Sequence, residues 1–187
     1  MDDIPIIKDY RLGEYFLELS ADSLYPSAGS SAAMITAHAA ALFAMACRVH
    51  LRKAGEKRNK KSKNKDSTVF WQEFIRKVDN YREQSLALAQ EDGFAIKDYF
   101  EGNSQGAERL IDIPLEIARC AGEIITLTEQ AFPSSYAPVQ ADIECARLLA
   151  GGGRKAALTI ARYNLPLLDR SKQENYVNQI AGLEPET

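Results

Sequence analysis

The stretch from Ser31 to Leu51, SAAMITAHAAALFAMACRVHL, is the feature that most restricts how this chain can fold. Ala33, Ala37 and Ala41 recur at four-residue steps, and further alanines stand between them. Alanine is the strongest helix former, and residues four apart share one face of a helix. A helix that is apolar almost all round must be covered on most sides. We therefore predict the central helix of a helical bundle, with an oligomer interface as the weaker alternative.

Apolar residues at three- and four-residue steps predict further helices on both sides of this stretch, and no strand is indicated. We expect an all-α, compact bundle of about six to seven helices in a single domain over 1–187. With the alanine-rich helix included, the expected helices cover 9–20, 31–51, 67–100, 112–132, 139–164 and 170–180. The apolar, alanine-rich character of the longest helices favours a homodimer.

Caps and breaks mark where these helices should begin and end. Asp9 is the expected N-cap of the first helix, and Asp112 is the expected N-cap ahead of Pro114. Glycines predict a kink or break at 91–93 and an interruption at 151–153.

A basic run, RKAGEKRNKKSKNK, occupies residues 52–65 and carries eight Lys or Arg and one Glu. The formal net charge of the whole chain is nevertheless −3, so the rest of the chain is acidic. We expect a solvated loop or frayed helix extension at about 52–66. The run could also attract an anionic ligand tail. Nucleic acid is a poor partner for it, because no aromatic residues are interleaved with the basic ones.

Other compositional features bound the function. The cysteines, Cys47, Cys120 and Cys145, are far apart and lack metal-ligand spacing. Only two histidines occur, His38 and His50, and no acidic cluster flanks them, so we expect no metal site. The apolar runs are too short to predict a membrane span, and no cationic, apolar leader pattern is present. We therefore expect a cytoplasmic protein.

Four blocks in a particular order carry a family resemblance. The first contains a short helix with Phe16 and Leu17, then Pro26, Gly29 and Ser30, then the alanine-rich helix. The blocks are GEYFLELSADSLYPSAGSSAAMITAHAAALFAMACRV (13–49), LALAQEDGFAIKDYF (86–100), DIPLEIARCAGEIITLTE (112–129) and ADIECARLLAGGGRKAALTIARYNLPLL (141–168). Together they resemble the formiminotransferase-cyclodeaminase C-terminal domain and methenyltetrahydrofolate cyclohydrolase family.

The resemblance implies a helical dimer that acts on a tetrahydrofolate derivative carrying a one-carbon unit, without a metal. Family members close formiminotetrahydrofolate to the methenyl form, or hydrolyse methenyltetrahydrofolate to the 10-formyl form. Both reactions need proton transfer, for which a positioned carboxylate suffices. Asp142 is our first candidate for this catalytic role and Asp92 the second, because both match the motifs. Each also has a structural interpretation, as a helix-start residue for Asp142 and a solvated residue for Asp92.

The same resemblance implies substrate-binding residues. The loop with Pro26, Ser27, Gly29 and Ser30 would bring N–H groups and hydroxyls to a helix N-terminus, which suits an anionic or polar ligand group. The structural alternative is an ordinary capped turn. Asn164 could bond a pterin edge, or it could simply end a helix before Pro166.

The sequence also departs from the family pattern. The three consecutive glycines of the family are here Ser27, Ala28 and Gly29, and an expected asparagine is Ile160. Glycine allows close backbone approach to a ligand, which a Cβ restricts. These departures support an alternative function. In it, a diverged member has lost folate turnover and serves as a binding or oligomeric protein, or acts on another imine- or amidine-like substrate.

Overall fold

A computed structural model describes residues 4–58 and 65–184, which form helices and short connections without any strand. Six α-helices follow in chain order: α1 (Leu12–Leu19), α2 (Ala28–Arg58), α3 (Lys65–Phe100), α4 (Gly106–Ala131), α5 (Gln140–Asn164) and α6 (Arg170–Gly182). Short 3-10 turns lie at Ile7–Asp9, Phe132–Ser134, Ala137–Val139 and Leu165–Leu167. The predicted all-α bundle is confirmed.

Helix α2 is the centre of the bundle, as its alanines predict. It packs against α3, α4 and α5, while α4 also packs against α3 and α5. Its buried small side chains let the neighbouring helices approach closely, and they are Ala32, Ala33, Ala37, Ala39, Ala40, Ala44 and Ala46. The segment Ala28–Glu56 also has the length and hydropathy of a membrane span, and 56% of its most apolar window is buried inside the fold. A central bundle helix meets the same two criteria.

Helices α2 and α5 run antiparallel. Near the start of α2, Gly153 of α5 lies so close to Thr36 that an added Cβ would come within 2.5 Å of its Oγ1. Near the far end of α2, the Nδ1 atom of His50 accepts the backbone N–H of Tyr136, just before α5. Two clusters of buried residues accordingly follow one another along the bundle, with Ala33, Ile117 and Ala157 in one and Phe43, Ile124 and Ile143 in the other.

Several helix boundaries differ from the predicted ones. Asp9 ends a 3-10 turn and does not cap α1. At the start of α1, the backbone N–H of Arg11 instead donates to Glu14 Oε2 at 3.1 Å. Asp112 is not an N-cap, because α4 already begins at Gly106 and includes Pro114. The predicted cap pattern was misleading because Asp112 accepts a hydrogen bond from the hydroxyl of Tyr176 instead.

Neither glycine position breaks its helix. Helix α3 is continuous through Gly93, because a single glycine weakens a helix without ending it, and α5 is continuous through 151–153. Helix α2 continues to Arg58, with Lys53 bonded to Glu56, so 52–58 form a helix extension, one of the two alternatives expected for 52–66. Lys65 begins α3, and 59–64 lie outside the described residues.

The turn between α3 and α4 contains Gly102 and Asn103. Gly102 adopts a φ of +79°, which favours glycine, and Asn103 N–H bonds the carbonyl of Asp98 at 2.9 Å. This bond and the one from Gly102 to Tyr99 form the capping pattern that ends many helices. The turn therefore reverses the chain sharply and sets α4 beside α3.

Candidate functional site

The first turn of α2 is ordered by two serines. The backbone N–H of Ser27 donates to Ser30 Oγ at 2.7 Å, and that hydroxyl donates back to the carbonyl of Ser27 at 2.9 Å. The Ser27 hydroxyl also accepts the N–H of Gly29 at 3.3 Å. Serine is a favoured residue at this position because its oxygen satisfies N–H groups that have no partner inside the helix. Pro26 precedes the turn, in a cis peptide bond with Tyr25.

Asp92 of α3 reaches this turn and binds it through its carboxylate. Its Oδ2 atom accepts the hydroxyl of Ser27 at 2.6 Å and the backbone N–H of Ser30 at 2.8 Å. Asp92 is only 4% exposed. A Cβ added at Gly29 would lie 2.0 Å from its Oδ1, so a larger residue at that position would displace the carboxylate. Gly29 is therefore required by Asp92 itself.

The surroundings of Asp92 shift the pKa of its carboxyl. Burial raises the pKa of its carboxyl, and the hydrogen bonds from Ser27 and Ser30 partly oppose that rise because they stabilise the charged form. The positive end of the α2 dipole lies beside it. Tyr25 packs against Gly93, and its pKa is raised, chiefly by burial and further by the nearby Asp92 charge.

The Asp92 side chain occupies hydrogen-bond donors at the start of α2 that a ligand could otherwise use. The N–H of Ser30 and the hydroxyl of Ser27, which we expected to meet a ligand, are bonded to Asp92. Ser27 is half-buried, whereas Gly29, Ser30 and Pro26 are buried. Ser27 is therefore the more accessible member of its pair with Asp92.

Asp142 lies in another part of the bundle. It is a half-buried residue in the first turn of α5, and within the described ranges its carboxylate has no hydrogen-bond partner. Along α2, Asp92 stands level with Ser30, whereas Asp142 lies eleven residues before Gly153 on the antiparallel α5. At 1.5 Å per residue, this places the two carboxylates roughly 20 Å apart along the bundle. The fold of the chain does not bring them together.

Asn164 has a structural partner. Its Nδ2 atom donates to the carbonyl oxygen of Leu110 at 2.7 Å. That carbonyl lies four residues before Pro114, which has no N–H to offer it. Asn164 thus satisfies the carbonyl that Pro114 leaves without its usual partner, and it ties the end of α5 to α4. A spacing of four before a proline was the sequence signal that could have indicated this.

An open groove of about 1290 Å³, which no sequence pattern predicted, lies between α4, α5 and the segment 182–184. Gly122 of α4 and Gly151 and Gly152 of α5 line it, beside the cationic Arg154 and Lys155. We had expected the glycines of α5 only to interrupt the helix. Gly153 faces α2, whereas Gly151 and Gly152 face the groove.

Within the described residues, no group of three or more His, Cys, Asp and Glu side chains is placed to hold a metal ion. The stacking of His50 on Trp71, with ring centroids 3.9 Å apart, uses one of the two histidines in packing.

The comparisons with known proteins agree with this architecture. The crystal structure of formiminotetrahydrofolate cyclodeaminase from Thermotoga maritima matches with a TM-score of 0.83 and 14% sequence identity, over 95% of this chain and 89% of that one. At this identity the match shows the fold. None of the curated protein sequences matches the chain. The family model for formiminotransferase-cyclodeaminase matches residues 11–182, and the chain therefore belongs to that family.

Proposed function

We propose that this protein is a one-carbon tetrahydrofolate enzyme, either a methenyltetrahydrofolate cyclohydrolase or a formiminotetrahydrofolate cyclodeaminase. The observation that carries the proposal is the family match over nearly the whole chain. The similarity of the whole fold to a cyclodeaminase supports it.

Either reaction needs one group that gives and takes a proton. In ring closure, N10 bonds to the carbon of the protonated formimino group and loses its proton, and the departing NH2 group takes up one proton and leaves as ammonia. In hydrolysis, water adds to the methenyl carbon and loses a proton; N5 then takes up a proton as its bond to that carbon breaks, and the added hydroxyl loses its proton to become the formyl oxygen. A carboxyl with a raised pKa can be the acid of the first reaction and the base of the second.

We propose the pair of Asp92 and Ser27 for this proton transfer. Burial raises the pKa of Asp92, and the 2.6 Å hydrogen bond links its carboxyl to the half-buried hydroxyl of Ser27. Pro26, Gly29 and Ser30 hold the turn in place. Asp142 is the competing candidate, since its half-buried carboxylate is not committed to a bond within the described residues. Asn164 would contribute by holding α5 against α4.

Turnover by two matched variants separates these candidates. We expect the wild-type protein to accelerate the loss of methenyltetrahydrofolate absorbance or the release of ammonia from formiminotetrahydrofolate. Asp92→Asn should then lower kcat by about 100-fold or more, the usual range for an acid–base group. Asp142→Asn should retain activity. The reverse pattern would assign the role to Asp142, and equal activity in all three proteins would exclude both carboxyls.

A diverged member without turnover is the second candidate function. The bonds from Ser27 and Ser30 to Asp92 support it, because they occupy donors that a ligand would otherwise use. Calorimetric titration with tetrahydrofolate and its one-carbon forms distinguishes the two functions. Binding without turnover would support the second, whereas no binding would indicate a different substrate.

We also propose a cytoplasmic homodimer. On α2, Ile35 and Met45 remain 40% and 39% exposed, and on α1 Leu12 and Leu17 are more exposed still. Apolar surface of this kind is commonly covered in an oligomer. Light scattering coupled to size exclusion measures the mass directly, and a monomeric mass at micromolar concentration would contradict the proposal.

A further inference from the structure

We propose that Gln90 of α3 is a positioning residue for Asp92, because it clamps residues 4–10 over the loop that holds the carboxylate. We call residues 4–10 the N-terminal strap. The strap packs on Tyr25, which stands two residues before Ser27 in the chain. The importance of this clamp for catalysis rests on the proton transfer proposed for Asp92, whereas its effect on the carboxyl is measurable without a substrate.

The Gln90 side chain bonds the backbone of the N-terminal strap at two points. Its Oε1 accepts the N–H of Ile7 at 2.7 Å, and its Nε2 donates to the carbonyl of Pro5 at 3.1 Å. A glutamine amide offers the same donor and acceptor as a peptide group, so it pairs with the strap as a neighbouring strand would. A further contact, the ion pair between Lys8 and Glu83, is exposed and contributes little. Gln90 therefore fixes where the strap crosses α3.

The N-terminal strap and Tyr25 meet on α3 at Gly93, the residue after Asp92. A Cβ added at Gly93 would lie 2.8 Å from Cγ2 of Ile4 and from two ring atoms of Tyr25, Cδ2 and Cε2. The Tyr25 hydroxyl donates to the carbonyl of Ala89, one helical turn earlier, at 3.2 Å. The strap thus holds Tyr25 against the turn of α3 that carries Asp92.

The helix that follows the N-terminal strap adds little to its attachment. Tyr15 is the one buried residue of α1, and its hydroxyl has no hydrogen-bond partner among the residues that the structure describes. A buried hydroxyl without a partner costs free energy, so the packing of α1 does little to keep the strap closed. The buried side chain of Ile7 and the two bonds of Gln90 therefore carry most of the attachment.

The N-terminal strap acts on Asp92 through burial. Burial raises the pKa of the Asp92 carboxyl, so a loosened strap that admits water would lower this pKa. The charged side chains nearest to it along the strap and α3 are exposed, and they are Lys8, Asp9 and Glu91. The groups that face the carboxyl from the α2 turn and the loop before it are uncharged at neutral pH, and they are the hydroxyls of Ser27 and Ser30 and the phenol of Tyr25, with the phenols of Tyr10 and Tyr15 behind it.

Titration of the Asp92 carboxyl, followed by NMR of its side-chain carbon, tests this role directly. Gln90→Met keeps the length of the side chain and removes both hydrogen bonds to the strap. We expect the Ile7 N–H to exchange with solvent about tenfold faster, because two hydrogen bonds are lost, and the pKa of the Asp92 carboxyl to fall below its wild-type value. The matched control, Lys8→Ala, removes the exposed ion pair to Glu83 and should change neither quantity. Faster exchange at Ile7 with an unchanged Asp92 titration would overturn the proposal, as would an equal fall of the pKa in Lys8→Ala.

Gly93→Ala loosens the N-terminal strap from the other side while Gln90 keeps the groups that form its bonds. The added methyl group has to displace Ile4 and Tyr25, so we again expect a lower pKa of the carboxyl. Gly55→Ala, at an open position of α2, is the control and should leave the titration unchanged. A higher pKa in Gly93→Ala would show that the methyl group only adds to the burial of the carboxyl, and it would contradict the role of the strap.

Turnover separates this inference from the proposed function. If Asp92 transfers the proton, the pH at which kcat is half-maximal should move in Gln90→Met in the same direction as the carboxyl titration, with KM little changed. A shifted carboxyl titration without any folate turnover would leave the effect of Gln90 on Asp92 standing, and the proposed function would fail. Turnover that requires Asp92 but has the same pH profile in Gln90→Met would overturn the positioning role instead.

Discussion

The bond from Asn164 to the carbonyl of Leu110 gives a stability prediction that depends on a third residue, Pro114. Asn164→Ala removes the donor that lies 2.7 Å from this partly buried carbonyl. A buried polar group left without its partner costs about 1–3 kcal/mol. We expect a loss of about 1–2 kcal/mol in the free energy of unfolding, because Leu110 is partly exposed. For a chain of this size, the unfolding midpoint should fall by roughly 2–8 °C.

Pro114→Ala supplies the test of the mechanism, since alanine restores an N–H that can bond Leu110 within the helix. In that background, Asn164→Ala should cost about 0.5 kcal/mol or less, giving a coupling energy near 1 kcal/mol in the double-mutant cycle. Urea denaturation followed by far-ultraviolet circular dichroism measures all four proteins. An equal cost of Asn164→Ala in both backgrounds would refute the reasoning.

Three other predictions follow from close contacts and titrating groups. Gly153→Ala should destabilise by about 1–3 kcal/mol because its Cβ meets Thr36 Oγ1, and Thr36→Ala should restore most of the loss. Burial lowers the pKa of His50, so the wild-type free energy of unfolding should fall as the pH drops below about 6.5. His50→Phe keeps the stack on Trp71 and should lack this dependence of stability on pH. Burial raises the pKa of the Asp92 carboxyl, so the free energy of unfolding of the wild type should fall relative to that of Asp92→Asn as the pH rises above 3.8, the ordinary pKa of aspartate. Urea titrations at several pH values measure this difference. The opposite trend would show that the fold stabilises the carboxyl as an anion.

The fold could be predicted from local patterns because helices are local structures. The alanine spacing of α2 is visible in the sequence and predicts a helix that other helices must cover. In the structure, α3, α4 and α5 cover it. The boundaries were harder, because Asp112 has the local pattern of a cap but bonds Tyr176, which lies 64 residues away. A short-range pattern cannot reveal that competing partner.

The site required contacts between distant parts of the chain. Asp92 matches a family motif and Ser27 stands where the family has a glycine, yet no local pattern indicates that residues 65 apart in the chain lie side by side. Gly29 was read as room for a ligand, whereas the carboxylate of Asp92 fills that space. The groove was missed for a related reason. Which of three consecutive glycines faces α2 depends on how α5 packs, and the sequence pattern of α5 does not specify this.

The most direct test of the proposed function is the rate at which the purified protein converts methenyltetrahydrofolate and formiminotetrahydrofolate, each followed by the absorbance of the methenyl form. We predict that at least one rate exceeds the rate in buffer, and that Asp92→Asn loses the acceleration while remaining folded by circular dichroism. Neither rate exceeding that of buffer, with a folded wild-type protein, would contradict the assignment of one-carbon folate chemistry to this chain.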